Sequence, residues 1–225
     1  MTPALSIIVP ALNEAAGITA TLAALAPLRA RGAEVIVVDG GSDDGTAELA
    51  AAQADRVAVS ARGRARQMNA GAAVARAPVL LFLHADTRLP EGADRSIHAA
   101  IERGAGWGRF DVHIDGRARM LRVVAAMMNW RSRLTGIATG DQAIFVTRQA
   151  FDRVGGFPAQ PLMEDIELSR RLRGLAAPAC LRDRVLTSGR RWEQRGVWRT
   201  IFLMWRLRWR YWRGASPQAL AEAYR

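Results

Sequence analysis

The 225-residue chain predicts an α/β fold, with a mixed, mainly parallel sheet covered by helices on both faces. Three observations predict it. Short apolar runs recur at Leu5–Val9, Glu34–Val38 and Val79–Leu83. They alternate with stretches whose apolar residues fall at helical spacing, and Gly, Asp and Ser cluster where one run hands over to the next helix. Runs of this length suit strands buried on both faces, and their alternation with helices is the mark of parallel crossover connections.

Taken in order, Leu5–Val9 ends at Pro10, and Ile18, Leu22, Leu25 and Leu28 mark the first helix. Glu34–Val38 is the second strand; Gly40-Gly41-Ser42-Asp43-Asp44-Gly45 then turns into a helix over Thr46–Ala54. Arg56–Ser60 is a third, short strand, Arg64–Arg76 a helix, and Val79–Leu83 the fourth strand. Beyond residue 90 the pattern loosens. It gives helices near 91–103 and 117–133, an apolar-polar stretch at Trp107–Ile114, a strand near Ala143–Thr147, and helices near 147–154 and 164–174. No repeat or Ser/Pro linker interrupts the chain. Composition shifts near Arg182, which divides a main domain, 1–181, from an Arg/Trp-rich helical extension, 182–225.

The formal charge is +11, and every basic residue is arginine. Residues 182–225 hold 11 of them against Asp183, Glu193 and Glu222, so a net +8 belongs to the extension and only +3 to the rest. Such a surface suits phosphate, in lipid head groups or polyanions. The single cysteine, Cys180, rules out an internal disulfide and fits a reducing compartment. The apolar run Ala4–Leu12 is cut off by Asn13-Glu14 before signal-peptide length, and no run reaches the roughly 18 residues of a membrane span. The expectation is a cytoplasmic protein, or one held peripherally on the inner face of the cell membrane.

In parallel sheets ligands sit at the carboxyl ends of strands. The residues just past those ends are Asn13, Asp39 and Asp86. A second acidic cluster, Glu164-Asp165, opens the helical stretch from Ile166, where the macrodipole favours an ionised carboxylate that can serve as a base. An acid ending the second strand also occurs in dinucleotide-binding folds. Here the first turn runs Pro10-Ala11-Leu12-Asn13-Glu14 with no glycine before Gly17, so the pyrophosphate-binding turn of a dehydrogenase is absent.

Four segments, in order over roughly residues 5–175, resemble the family 2 glycosyltransferases: Ser6–Glu14, Val37–Thr46, Leu81–Thr87, and Gly155-Gly156-Phe157 followed by Glu164–Leu168. The chain is also similar to a small bacterial branch sometimes labelled with arsenosugar biosynthesis, a label that defines no substrate. The resemblance implies a GT-A fold, with 1–181 as its catalytic domain, a nucleotide-diphosphate sugar donor, a divalent metal and inversion at the anomeric carbon. Residue by residue, it implies that Asp39 binds the nucleobase, Asp86 the metal (Mn²⁺ or Mg²⁺), and that Asp165 is the general base. Pro10, Asn13, Glu14, Arg66, Asn69, His84 and Ala85 complete the expected donor site, and Gly140, Asp141, Glu164, Arg191 and Trp192 the acceptor and diphosphate side. The chemistry agrees. A diphosphate leaving group develops charge that a divalent ion held by one or two carboxylates neutralises, and inversion needs a base within reach of the acceptor hydroxyl.

The chain departs from the family pattern in three places. His84-Ala85-Asp86 stands for Asp-x-Asp, so an imidazole that can donate to ribose or phosphate replaces the first acid. Met68-Asn69-Ala70-Gly71 stands for Arg-Asn-x-Gly, with Arg64 and Arg66 earlier on the helix. Ser188–Trp192 keeps only the Arg-Trp of the processive enzymes' Gln-x-x-Arg-Trp, so processivity is not implied.

In the extension, at 100° per residue, Trp198, Phe202, Trp205, Trp209 and Trp212 share one narrow stripe, with Arg199, Arg206, Arg210 and Arg213 as a ridge beside it. Tryptophan beside arginine is the composition of an interfacial membrane helix. The alternative is packing on the main domain or on a second subunit as a homodimer. The function expected is transfer of a sugar to a hydroxyl of a lipid or small-molecule acceptor. Its rivals are a nucleotidyltransferase, for which the N-terminal Gly/Lys-rich phosphate loop is missing, a nucleic-acid-binding module using the Arg/Trp tail, and a non-catalytic nucleotide-sugar-binding relative. No specific nucleic acid is expected as a partner.

Overall fold

A computed structural model describes residues 3–224. In it β1 (Ser6–Ala11), β2 (Glu34–Asp39), β3 (Arg56–Val59) and β4 (Val79–Phe82) alternate with α1 (Ala15–Ala30), α2 (Thr46–Ala51) and α3 (Arg64–Val74). The later elements are β5 (Thr87–Arg88), α4 (Ala93–Glu102), β6 (Trp107–Asp115), α5 (Met120–Thr135), a 3₁₀ turn at Gly140–Gln142, β7 (Ile144–Thr147), α6 (Arg148–Arg153), α7 (Glu164–Arg173), β8 (Ala179–Ser188), α8 (Arg190–Arg195), α9 (Val197–Trp212) and α10 (Pro217–Tyr224).

The eight strands form one sheet in the order β3-β2-β1-β4-β7-β6-β8-β5. The chain moves outward from β1 to β3 and then returns to place β4 on the other side of β1. Both neighbours of β1 are parallel to it, with Ala11 opposite Asp39 and Ile8 opposite Phe82. The gap beyond the carboxyl ends of β1 and β4 is therefore the switch point, where α/β sheets bind ligands. Past β4 the sheet becomes mixed: β7 is antiparallel to β4 and β6, while β8 runs parallel to β6 with a bulge between Phe110 and Asp111.

Strand alternation builds two cores. Ile7, Val9, Val35, Val37 and Leu81 face Ile18, Leu22, Leu25 and Leu28 of α1, with Ile97 of α4 and Leu121 of α5. Their neighbours Ile8, Ile36, Val38, Leu80 and Phe82 face Met68 and Ala72 of α3, Phe151, Phe157, and Leu168 and Leu172 of α7. On that second face a Cβ at Gly71 would stand 2.4 Å from Ile8 Cγ2 and 2.9 Å from Val38 Cγ2, so only glycine lets α3 lie this close to β1 and β2.

The expected boundary after residue 181 falls inside β8, whose Arg184–Ser188 pair with Asp111–Asp115. The sheet thus continues to Ser188, and the helical extension begins with α8. β8 escaped the sequence pattern because Arg182, Asp183 and Arg184 are exposed and break the apolar run. A third, small core joins α9 and α10 to the segment before α7. Leu207 and Leu220 are fully buried against Met163, with Leu203, Met204 and Tyr211 around them. The packed side of α9 is opposite the tryptophan stripe, whose members are 58 to 80% exposed. Among the described residues no helix is long and apolar enough to cross a membrane.

Candidate active site

The turn after β2 and the start of α1 are stitched together. Asn13 takes a left-handed φ of 54°; its amide donates to Ser42 Oγ at 2.9 Å, and its Oδ1 accepts the Asp43 amide at 3.1 Å. The next two amides, the first orphan donors of α1, go to Thr46 Oγ1 (2.9 Å) and Asp44 Oδ2 (3.0 Å). Side chains of one loop thus cap the helix of another. Asp39 is buried, and its carboxylate accepts the Gly41 and Ser42 amides, each at 2.9 Å, and the Ser42 hydroxyl. Burial pushes its pKa up, but those hydrogen bonds outweigh it and hold the group below its ordinary value.

Two adjoining cavities open at the switch point. The larger, about 410 Å³, is lined by Pro10 to Leu12 and Glu14 beyond β1, by Arg62, Arg64 and Gln67 at the start of α3, by His84, Ala85 and Asp86 beyond β4, and by Arg191. The smaller, about 150 Å³, is lined by Asp141, Glu164, Asp165 and Arg208 with Leu207 of α9. Arg64, His84, Leu162, Arg191 and Tyr224 line both, at the boundary between them.

Asp86 is exposed at the mouth of the larger cavity. Burial, and next the negative charge of Asp86, push the Glu14 carboxyl above its ordinary value; Arg190 and Arg191 act against this. Two carboxylates that repel across a cleft, with no ion pair to either among the described residues, suit a divalent cation. Among the described residues no three His, Cys, Asp or Glu side chains converge into a full cage. An ion here would complete its shell with phosphate oxygens and water, as Mg²⁺ and Mn²⁺ commonly do.

His84 sits behind Asp86. Its Nδ1 lies 3.2 Å from Asp141 Oδ1, while its Nε2 is buried without a partner among the described residues. That nitrogen abuts Gly140, where a Cβ would come within 2.4 Å of it. Asp141 is held below the ordinary carboxylate range: enclosure in the cleft raises it, but His84, then Arg64 and Arg191, prevail. Asp165, on the first turn of α7, accepts the Gly140 amide at 2.8 Å through Oδ2 and the Ile166 amide at 2.8 Å through Oδ1. Beside it Glu164 is buried; burial and then Asp165 push its pKa up, against the pull of Arg64 at 3.4 Å.

Of the residues expected from the sequence, Pro10, Glu14, His84, Ala85, Asp86, Asp141, Glu164, Asp165 and Arg191 line the two cavities, and Gly140 holds both Asp165 and His84 in place. Asn13 and Asp39 stand just behind the lining. Three are elsewhere. Arg66 is exposed on the outer side of α3, and Arg62 and Arg64 take the place expected for it. Asn69 spends its amide on Phe157, donating to the carbonyl at 2.8 Å and accepting the N–H at 2.9 Å, so it pins the Gly156-Phe157 turn. Trp192 packs against the core on the α1 side. Gln67 and Tyr224 are additions. Gln67 Nε2 donates to the Ala11 and Val38 carbonyls, fixing the ends of β1 and β2. The Tyr224 hydroxyl accepts from Arg191, whose guanidinium lies over its ring. The Arg62-Gly63-Arg64 spacing was a readable signal; Tyr224 had none nearby in sequence.

The profile for glycosyl transferase family 2 matches residues 6–156. The chain belongs to that family. Its relatives include an uncharacterized glycosyltransferase of Mycobacterium tuberculosis (strain H37Rv), 30% identical over 140 residues, 58% of this chain and 60% of the relative. The match thus spans less than two thirds of the relative's length. Solved structures share the fold. Staphylococcus aureus TarS 1–349 in complex with UDP-GlcNAc has a TM-score of 0.65 at 18% identity, covering 82% of this chain and 58% of that one. The Pyrobaculum calidifontis mannosyltransferase PcManGT, in complex with GDP-Man and Mn²⁺, has 0.66 at 21% identity, covering 100% and 69%. Glucosyl-3-phosphoglycerate synthase of M. tuberculosis, with Mn²⁺, UDP and phosphoglyceric acid, has 0.59 at 20%, covering 81% and 68%. All place this family 2 chain among GT-A folds.

Proposed function

We propose that this family 2 protein transfers a sugar, with inversion, from a nucleotide-diphosphate donor to a hydroxyl of a lipid or small-molecule acceptor. The observation that carries the proposal is the pair of adjoining cavities: Asp86 opens on one, Asp165 on the other, and Arg64, His84 and Arg191 line both. The larger takes the donor. Asp39 offers its remaining acceptor capacity to the nucleobase or ribose, and Arg62, Arg64 and Arg191 receive the diphosphate charge. Asp86, with Glu14 nearby, would hold Mn²⁺ or Mg²⁺, which when bound neutralises the charge developing on the leaving group.

The acceptor hydroxyl enters from the Asp165 side. Its oxygen attacks the anomeric carbon as the bond from that carbon to the phosphate oxygen breaks, and the nucleoside diphosphate departs with the electron pair. Asp165 takes the hydroxyl proton. Two main-chain amides already fix its orientation, so the base is held in place before the acceptor arrives. The pre-built carboxylates favour this reading over a nucleic-acid-binding module, which would need none of them.

On the outer face of α9, the exposed stripe beside its Arg ridge supports contact with an anionic membrane surface, with the enzyme working at the cytoplasmic face. Screening UDP- and GDP-sugars by thermal shift, with and without Mn²⁺, tests the donor proposal. At least one should raise the melting temperature in step with its concentration over Kd and release its nucleoside diphosphate on incubation with acceptor. A panel giving neither shift nor release would reject it.

A further inference from the structure

Beside the tryptophan stripe a third cavity opens between α8, α9 and α10. At about 620 Å³ it is larger than either cavity of the candidate site. Arg195, Arg199 and Arg206 line it together with Phe202, Leu203 and Tyr224, and among the described residues no carboxylate side chain lines it. Arg195 is occupied, donating to the Tyr224 carbonyl at 3.0 Å and lying over the Tyr224 ring. Arg199 and Arg206 are exposed, seven residues apart on one ridge, and form no ion pair among the described residues. Guanidinium groups gathered without a counter-charge repel one another, and an anion bound between them removes that cost.

Phe202 links this cavity to the aromatic stripe. It lines the groove and also belongs to the exposed aromatic stripe, so a molecule anchored where the stripe inserts has its polar end beside the three arginines. We infer that the groove between α9 and α10 is a binding site for the phosphate of a membrane lipid head group, seated as the Trp stripe enters the interface. This rests on the reading of α9 as the membrane-facing element. The guanidinium groups of Arg199 and Arg206, unpaired among the described residues and with Arg195 beside them, suit a phosphate monoester, which has more acceptor oxygens and charge than a diester.

Flotation of the full chain with vesicles tests it, using phosphatidylcholine alone and phosphatidylcholine doped with phosphatidic acid or with phosphatidylglycerol at matched surface charge. Wild type should float with both anionic mixtures and bind phosphatidic acid the more tightly. Arg199→Gln/Arg206→Gln should lose roughly tenfold in affinity for phosphatidic acid, the loss of about one charge-assisted hydrogen bond. Arg210→Gln/Arg213→Gln removes equal charge from the same ridge outside the groove and should keep the preference. If both variants weaken alike, the arginines act as diffuse charge and the groove site is wrong, while the membrane reading stands. Wild type that floats with no vesicle overturns both. Competition by inorganic phosphate near the protein's own concentration would make the ligand a soluble phosphate and overturn the lipid assignment.

Discussion

The Gly140 amide donates to Asp165 Oδ2 over 2.8 Å, tying the turn before β7 to the first turn of α7. The contact orients the carboxylate that faces the smaller cavity without adding a positive charge beside it. An asparagine at 165 can still accept the Gly140 amide through its single carbonyl oxygen, giving up only the contact to the adjacent helix-end amide of the half-buried Ile166, but it cannot take a proton. Asp165→Asn should therefore fold with a melting temperature near wild type and bind nucleotide within about twofold of it, while turnover falls about 10²- to 10⁴-fold. Stopped-time assays of nucleoside diphosphate release check the rate, and calorimetry the binding. Weakened nucleotide binding with unchanged turnover would move Asp165 from base to donor ligand.

Glu164 gives a pH prediction. Burial, then the charge of Asp165, raises its folded pKa above the ordinary 4.5. In the window above 4.5 the folded chain holds a proton that the unfolded chain has lost, so this group's contribution to stability is full below 4.5 and is lost as pH rises through the folded value. Glu164→Gln, always neutral, should flatten the decline in melting temperature across that window. Parallel wild-type and variant curves would show that Glu164 titrates normally.

The two sides of α9 should respond oppositely. Leu207 is fully buried in the small core around Met163 and Leu220, so Leu207→Ala should cost about 2–5 kcal/mol. Trp205 and Trp209 are more than half exposed, and Trp205→Ala/Trp209→Ala should change stability by no more than about 0.5 kcal/mol per site while abolishing flotation with anionic vesicles. Denaturant titration measures both. A large loss for the tryptophan variant, together with a dimer that it dissociates in light scattering, would make the stripe a subunit interface.

Much of this arrangement was legible because it is local. β1, β2 and β4 are unbroken apolar runs, each followed at once by polar residues near the switch point, so Asn13, Asp39 and Asp86 could be read from strand ends alone, while Glu14 and His84 came only with the family resemblance. Asp165 was legible as an acid in a helix first turn. What failed was decided by distant partners. Asn69 sits in a family-like motif, yet Phe157, 88 residues away, takes its whole amide. Arg66 is as basic as Arg64, but the pitch of α3 turns it outward. β8 is a strand by virtue of its pairing with β6, against a local run of exposed charges. The wheel of α9 correctly grouped the tryptophans, but which side docks depended on Met163, far off in sequence.

The central claim, that the cavity beyond β1 and β4 binds a nucleoside diphosphate with help from a divalent ion at Asp86, is met most directly by calorimetric titration. UDP and GDP are titrated into wild type, Asp86→Ala and His84→Ala, each with Mn²⁺ and with chelator. At least one nucleotide should bind wild type more tightly with Mn²⁺, His84→Ala should keep most of that gain, and Asp86→Ala should lose it. Nucleotide binding unaffected by chelator and equal in Asp86→Ala, or no binding of either nucleotide, would contradict the account.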